Sequence, residues 1–216
     1  VAPTAPVSFL TVWPSGGVRP DASSLNFVQG QTVPNLVIAK VNDRGQINIY
    51  NESGEVHVLA DIVGYYADTS DFTGLNPARM LDTRRGVGAS EAKVGPGGVV
   101  DLQVTGRLGV PTEDVGSVVL NVTATKGTAG SFLTVWPFGT DQPDASNVNF
   151  GANQSVPNLV IVKVGDGGKV SIANEFGNVD IIADVVGYFL DGASYVGVTP
   201  TRILNTRDGT GAPTGK

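Results

Sequence analysis

The chain contains no cysteine, and this absence excludes two classes of site at once. Neither a disulfide framework nor a thiolate metal centre can form without cysteine. Histidine is almost absent as well, because His57 is the single histidine in 216 residues. This argues against histidine-based catalysis or metal binding, and we expect His57 to be an exposed strand residue. We also find no nucleophile-elbow, phosphate-loop or zinc-helix pattern, so the sequence predicts no catalytic residue, no metal site, no cofactor and no enzyme activity.

Charge and long apolar runs are also scarce. Charged residues make up 16% of the chain, and the formal charge is −6. The 14 basic residues form no cluster, which argues against a nucleic-acid partner. No apolar run approaches the roughly 18 residues that a membrane span needs, so we expect no span. Abundant Thr, Ser, Asn, Gly and Val with little Lys favours a secreted or cell-surface protein.

What the sequence does contain is a long stretch that occurs twice. Residues 8–66 return as residues 131–189 at an offset of 123, with about 35 of 59 positions identical and no insertion or deletion. A second stretch, Pro-Ala-Arg-Met-Leu-Asp-Thr-Arg at 77–84, returns at the same offset as Pro-Thr-Arg-Ile-Leu-Asn-Thr-Arg at 200–207. Self-similarity at a fixed period is the signature of repeat architectures.

Short β-branched and aromatic runs separated by turn residues predict the fold class. The runs at 9–13, 33–41, 46–50, 56–65 and 99–104 have strand character, and turn residues bound them. The run at 118–125 should form a hairpin with the run at 132–136. With 29 glycines and 13 prolines, this pattern predicts an all-β fold of tandem antiparallel β-sandwich modules, with a 123-residue repeat and little or no helix.

The repeat also suggests domain limits. We expect residues 1–70 to be the C-terminal half of a first unit, residues 71–190 a complete second unit, and residues 191–216 the start of a third. Two whole units would need 246 residues, 30 more than the 216 present, and the equivalents of 94–123 are the ones missing. The first half folds alone, or the chain is a window of a longer array, or a neighbouring chain supplies strands.

One pair of acidic residues stands out because each lies inside an apolar strand. Asp61 and its equivalent Asp184 need a partner, since a buried carboxylate is costly unless it is paired. We predict a structural latch in which a downstream arginine folds back as a bidentate partner. The candidates are Arg79 and Arg84 for Asp61, and Arg202 and Arg207 for Asp184.

The two tryptophans, Trp13 and Trp136, occupy equivalent strand positions. An exposed indole could stack on a sugar ring. The competing interpretation is a core or inter-module contact, which we favour because buried aromatic side chains dominate packing energies.

With these motifs in view, the chain resembles a repeat of large secreted or wall-associated proteins of actinobacteria. The motifs that carry the resemblance are Pro-x-Arg-x-Leu-Asp-Thr-Arg, Leu-Asn-Val-Thr-Ala-Thr, Phe-Leu-Thr-Val-Trp-Pro, Val-Pro-Asn-Leu-Val and Asp-Val-x-Gly-Tyr-Phe, and they span almost the whole chain. In those proteins the repeat often stands beside proteases or peptidoglycan hydrolases. The resemblance implies a non-catalytic bacterial surface module. Asn205 is a departure from the pattern, because it stands where the second copy of the Pro-x-Arg-x-Leu-Asp-Thr-Arg motif would have Asp.

The function that we expect is structural or adhesive. Neighbouring copies of the chain would build a rod, fibril or surface array through β pairing and apolar contacts. The alternative is a module that binds carbohydrate or cell-wall glycan and serves a secreted hydrolase. Enzyme activity ranks third, because catalysis by a carboxylate pair needs two acids facing each other across a cleft.

Overall fold

A computed structural model describes most of the chain, namely residues 3–31, 33, 35–58, 60, 65–66, 71–193 and 195. These residues form an all-β protein with antiparallel pairing throughout, one short 3-10 turn at Asp166–Gly168 and no α-helix. No helix in the described ranges could therefore cross a bilayer. The eleven strands are β1 Val7–Pro14, β2 Leu25–Val28, β3 Ile47–Asn51, β4 Phe72–Asp82, β5 Val99–Gln103, β6 Val115–Thr125, β7 Ser131–Pro137, β8 Val148–Phe150, β9 Val156–Lys163, β10 Lys169–Asn174 and β11 Asp180–Leu190.

Eight of these strands form a β-sandwich. Sheet I has the order β5-β10-β7-β8, and sheet II has the order β4-β11-β6-β9. One continuous apolar core lies between the sheets because strand residues alternate between the two faces. Fully buried members of this core include Leu102, Leu133 and Ile172 from sheet I, and Met80, Leu120 and Ile181 from sheet II. Burial of apolar surface contributes roughly 25 cal/mol per Å², so this core is the main stabilising element.

The other three strands form a separate N-terminal sheet with the order β2-β1-β3. Its arrangement matches part of sheet I, in which β7 lies between β8 and β10. The register matches too: Thr11 faces Tyr50 as Thr134 faces Ala173. The Thr11 hydroxyl donates to the Ala22 carbonyl at 2.7 Å, and the Thr134 hydroxyl donates to the Ala145 carbonyl at 2.6 Å.

The outer face of sheet II is covered by residues from the N-terminal part of the chain. Val119 on β6 is fully buried there in a second apolar cluster, against which Ile38 packs. The Asn121 amide donates to the Ser23 carbonyl, and Asn35 Nδ2 donates to Asn121 Oδ1 at 3.3 Å. Sheet II is therefore covered on both faces.

The predicted strand at 33–41 was wrong, because its described residues, 33 and 35–41, carry no strand. The equivalent strand β9 pairs along its whole length with β6, and residues 35–41 have no such neighbour among the described residues. The predicted strand at 56–65 is likewise absent from residues 56–58, 60 and 65, and its other residues lie outside the described ranges. An extended run becomes a strand only when a second strand satisfies its backbone groups.

The expected hairpin between the runs at 118–125 and 132–136 was also wrong. These runs are β6 and β7, which belong to different sheets. The short connection between them crosses from one layer of the sandwich to the other. The motif at 77–84, for which we predicted no strand, begins inside β4 and pairs with β11.

Gly187 provides a test of how tightly sheet II is packed against its outer cluster. A Cβ at this position would run into the Phe72 ring and would lie 2.7 Å from the Thr73 carbonyl oxygen. We expect Gly187→Ala to lower the free energy of unfolding by about 1–3 kcal/mol, because the surrounding strands must shift. Chemical denaturation measures this. Gly130→Ala is the matched control, since its Cβ would meet one atom at 3.9 Å, and a loss as large as that of Gly187→Ala would contradict the explanation.

Candidate functional site

The most distinctive group of side chains is a buried set of ion pairs on the outer face of sheet II. Asp184 lies on β11 directly opposite Arg79 on β4. Ala183 and Val185 point into the sandwich core, so the alternation of the strand directs Asp184 outwards. Arg79 Nε donates to Asp184 Oδ1 at 2.8 Å, and Nη2 donates to Oδ2 at 3.3 Å. The two planar groups thus form a bidentate pair, and the Asp184 side chain is 1% exposed.

A second carboxylate extends the set. Asp82 ends β4, its side chain is fully buried, and it accepts hydrogen bonds from two arginines. Arg84 Nε and Nη2 donate to its two oxygens at 2.8 and 2.7 Å, and Arg79 Nη1 donates to Oδ2 at 3.4 Å. Arg79 therefore bridges Asp82 and Asp184. Both carboxylates are held by arginines, so the group is suited to fixing strands in place and offers no free acid or base.

Burial and ion pairing act on the acid constants in opposite directions. Burial raises the pKa of Asp184 and outweighs the lowering effect of Arg79. Burial would also raise the pKa of Asp82, but hydrogen bonds from the Arg84 side chain and backbone amide, together with the charges of both arginines, hold it below the ordinary value. Arg79 loses some basicity through burial and regains more from Asp184, so its pKa is raised.

The same network contacts the N-terminal part of the chain. Arg85 Nη1 donates to Asp21 Oδ2 at 3.1 Å, and the backbone amide of Ser23 lowers the pKa of Asp184. The Asn121 hydrogen bond to the Ser23 carbonyl lies on the same face. The ion pairs are thus located where the loop after β1 crosses sheet II.

The structure assigns different partners from those that the sequence spacing suggested. Arg79 contacts Asp184, which lies 105 residues downstream, whereas the spacing pointed to Asp61. Arg84 contacts Asp82, which we had not named as a partner. The spacing of two residues between Asp82 and Arg84 was the available signal. Asp61, Arg202 and Arg207 lie outside the described residues.

Both tryptophans are buried beneath the loops that follow their own strands. Trp13 is 8% exposed and its indole donates to the Gly17 carbonyl at 3.0 Å. Trp136 is 5% exposed and its indole donates to the Thr140 carbonyl at 3.1 Å. Each ring secures a loop, and neither presents an open face to a sugar. His57 is exposed, in a segment without strand pairing.

No group of three or more His, Cys, Asp or Glu side chains is placed to hold a metal ion in the part of the chain that the structure describes. A scan against protein-family models gives no match, and no curated protein matches the chain.

Removing Arg79 should be far more costly than removing an arginine of a surface ion pair. Arg79→Met leaves Asp184 buried without its cation, and we expect the free energy of unfolding to fall by about 3–5 kcal/mol. Arg19→Met is the control, because Arg19 and Glu52 are both about half exposed and such pairs contribute about 0–1 kcal/mol. Urea denaturation of both variants makes the comparison. Equal losses would mean that the buried pair stabilises no more than a surface pair.

Asp82 should make stability sensitive to acid. Its pKa in the folded state lies below the value of about 3.9 that an unfolded chain has. As the pH falls through that value, the unfolded state takes up a proton that the folded state resists, so stability is lost. We expect Asp82→Asn to be less stable than the parent at pH 7, and to lose less stability between about pH 5 and pH 3. Thermal denaturation across that range tests this, with the exposed Asp141→Asn as control. An unchanged pH slope in Asp82→Asn would contradict it.

Proposed function

We propose that this chain is part of an extracellular, non-catalytic structural or adhesive protein built from tandem units 123 residues apart. Units associate with neighbouring copies through β pairing and apolar contacts, and together they form a rod, fibril or surface array. The observation that carries the proposal is the buried contact between the N-terminal part of the chain and the outer face of sheet II. The extracellular location rests on composition and on the resemblance to actinobacterial surface repeats.

Equivalent hydrogen bonds support the tandem arrangement. The Ser8 hydroxyl donates to Asn51 Oδ1 at 2.9 Å, and the Ser131 hydroxyl donates to Asn174 Oδ1 at 2.9 Å. The two tryptophan indoles likewise donate to the residue four positions on. Side chains at an offset of 123 therefore perform the same local task in both parts of the chain.

The contact itself has the character of an interface between units. Its apolar part is the cluster of Val119, Val186 and Phe189 with Ile38 packed on it. Its polar part is Asn121, which is 4% exposed and whose side-chain amide is hydrogen-bonded to Ser23 and Asn35. A buried amide with its partners in place makes such an interface selective, because a displaced neighbour would leave it unsatisfied.

In the second unit, Leu159 and Ile161, the equivalents of Leu36 and Ile38, pack against the outer cluster of sheet II, but the equivalent of Ser23 lies open. Ser23 is buried at the contact, whereas its equivalent Ser146 is exposed. The loops that carry the two serines are held in the same way. Asn35 Nδ2 donates to the Ser24 carbonyl at 2.7 Å, and Asn158 Nδ2 donates to the Asn147 carbonyl at 2.7 Å. A third unit docked around Ser146 would repeat the contact that sheet II makes around Ser23, and continued repetition would build an array.

The absence of cysteine permits a direct test. A longer chain is made in which a second copy of residues 71–193 follows residue 193, and single cysteines are introduced one at a time. We expect Ser146→Cys to react rapidly with a thiol reagent in the original chain and slowly in the longer one, because the added unit covers it. Ser23→Cys should react slowly in both chains, and the exposed control Ser90→Cys rapidly in both.

Negative-stain microscopy of the longer chain gives a second readout. Units spaced evenly along a straight rod are the expected result. Equal labelling of Ser146→Cys in both chains, together with units that are flexibly linked, would refute the proposed assembly.

A further inference from the structure

The chain enters and leaves the sandwich at the same end of sheet II. It enters at the start of β4 and leaves at the end of β11, and these two strands are antiparallel neighbours. Phe72, the first residue of β4, is the register partner of Phe189, the last residue but one of β11. Entry and exit therefore lie side by side, so the segments before and after the unit are brought together.

Four aromatic rings meet at this place, and we call them the junction rings: Tyr66, Phe72, Phe189 and Tyr195. The ring centres of Tyr66 and Phe72 are 4.7 Å apart, those of Phe72 and Phe189 are 5.1 Å apart, and those of Phe189 and Tyr195 are 4.6 Å apart. These separations are typical of attractive aromatic pairs. Burial and the nearby Tyr66 raise the pKa of Tyr195, which agrees with a close approach of the two tyrosines. The rings thus join the segment before the unit, both strands at its end, and the segment after it.

The junction rings consist of two equivalent pairs. At the offset of 123, Tyr66 corresponds to Phe189 and Phe72 corresponds to Tyr195. Within each pair the two rings are in contact, so the same local arrangement forms twice. Phe72 and Phe189 belong to different pairs, and their contact links one pair to the next. Gly187 permits this contact, because a Cβ at that position would run into the Phe72 ring.

The step from one pair to the next is too short to be a simple translation of a whole unit. The ring centres of the equivalent residues Tyr66 and Phe189 are 6.0 Å apart. The two sheets of a sandwich pack about 10 Å apart, so a whole sandwich is thicker than this step. Two units displaced by the step alone would overlap, and consecutive units must therefore also be rotated relative to each other.

We propose that consecutive units of the array are joined through the junction rings, and that the units radiate from one line of aromatic contacts, each turned about this line relative to the last. The partner of each ring pair is the ring pair of the next copy of the unit. Phe189, which is 3% exposed, is the centre of the contact because it touches the other three rings. Each connection between units is held by rings at both of its ends, which fixes the direction in which the next unit projects. This inference rests on the proposed array and adds how its units are oriented.

Distances between spin labels, measured by pulsed electron spin resonance on the longer chain described above, test the proposal. In that chain Phe72 of the added copy takes the place of Tyr195 against Phe189. Ser90→Cys in both sandwiches gives two exposed labelling sites, on the loop after β4 at the end away from the junction. We expect one narrow distribution of distances between the labels, because the rings hold both units in one orientation.

Phe72→Ser in the added copy removes the ring that contacts Phe189. We expect the distribution of distances to become at least about twofold wider, because the added unit loses the contact that orients it. Phe72→Leu in the added copy keeps an apolar side chain and also removes the ring, so it should widen the distribution even if Phe72→Ser disturbs folding. Phe72→Tyr in the added copy is the matched control, since it restores the residue type of Tyr195, and it should leave the distribution narrow. Circular dichroism checks that the variants are folded.

Either of two results would overturn the proposal. One is a broad distribution in the unaltered longer chain, and the other is a distribution that is equally narrow in Phe72→Leu and Phe72→Tyr. The cysteine labelling separates this outcome from a failure of the array itself. Slow labelling of Ser146→Cys together with an unchanged distribution in Phe72→Leu would retain the docked array and reject the role of the junction rings.

Discussion

A sheet that is apolar on both faces must be covered on both faces. Sheet II is such a sheet, and the rest of the molecule is arranged to cover it. Its central strands, β6 and β11, are buried along nearly their full lengths. Sheet I covers the inner face through the common core. The N-terminal part of the chain covers the outer face, where Val119 and Asn121 would otherwise meet water. The contact between the N-terminal part and the sandwich therefore follows from the composition of two strands.

The ion pairs lie on the outer face of sheet II, where covering the sheet also buries a charged side chain. Asp184 occupies an outward position of β11, and the N-terminal cover removes it from water. The cost of burying that charge is offset because β4 brings Arg79 directly opposite. Asp82 and Arg84 then hold the free side of Arg79 and the end of β4. The network orients the outermost strand of sheet II and lies against the loop that carries Ser23.

The unequal burial of equivalent residues connects the fold to the proposed array. Ser23 is buried, whereas its equivalent Ser146 is open. In the proposed array, a following unit would cover the surface around Ser146 as the sandwich covers Ser23.

Local pattern in the sequence determined the all-β class, the strands β1, β3, β5 and β7, and the equivalence of two stretches 123 residues apart. These follow from alternation, turn residues and self-similarity, which act between near neighbours in the chain. Two features of the ion pair were also predictable: the strand aspartate is buried, and an arginine pairs with it in a bidentate way. A carboxylate inside an apolar run requires a cation. Only the tertiary structure decided that Arg79 contacts Asp184, that β6 and β7 lie in separate sheets, and that residues 35–41 form no strand. The reason is that each outcome depends on which distant segment lies alongside, and the spacing of residues along a chain does not specify that neighbour.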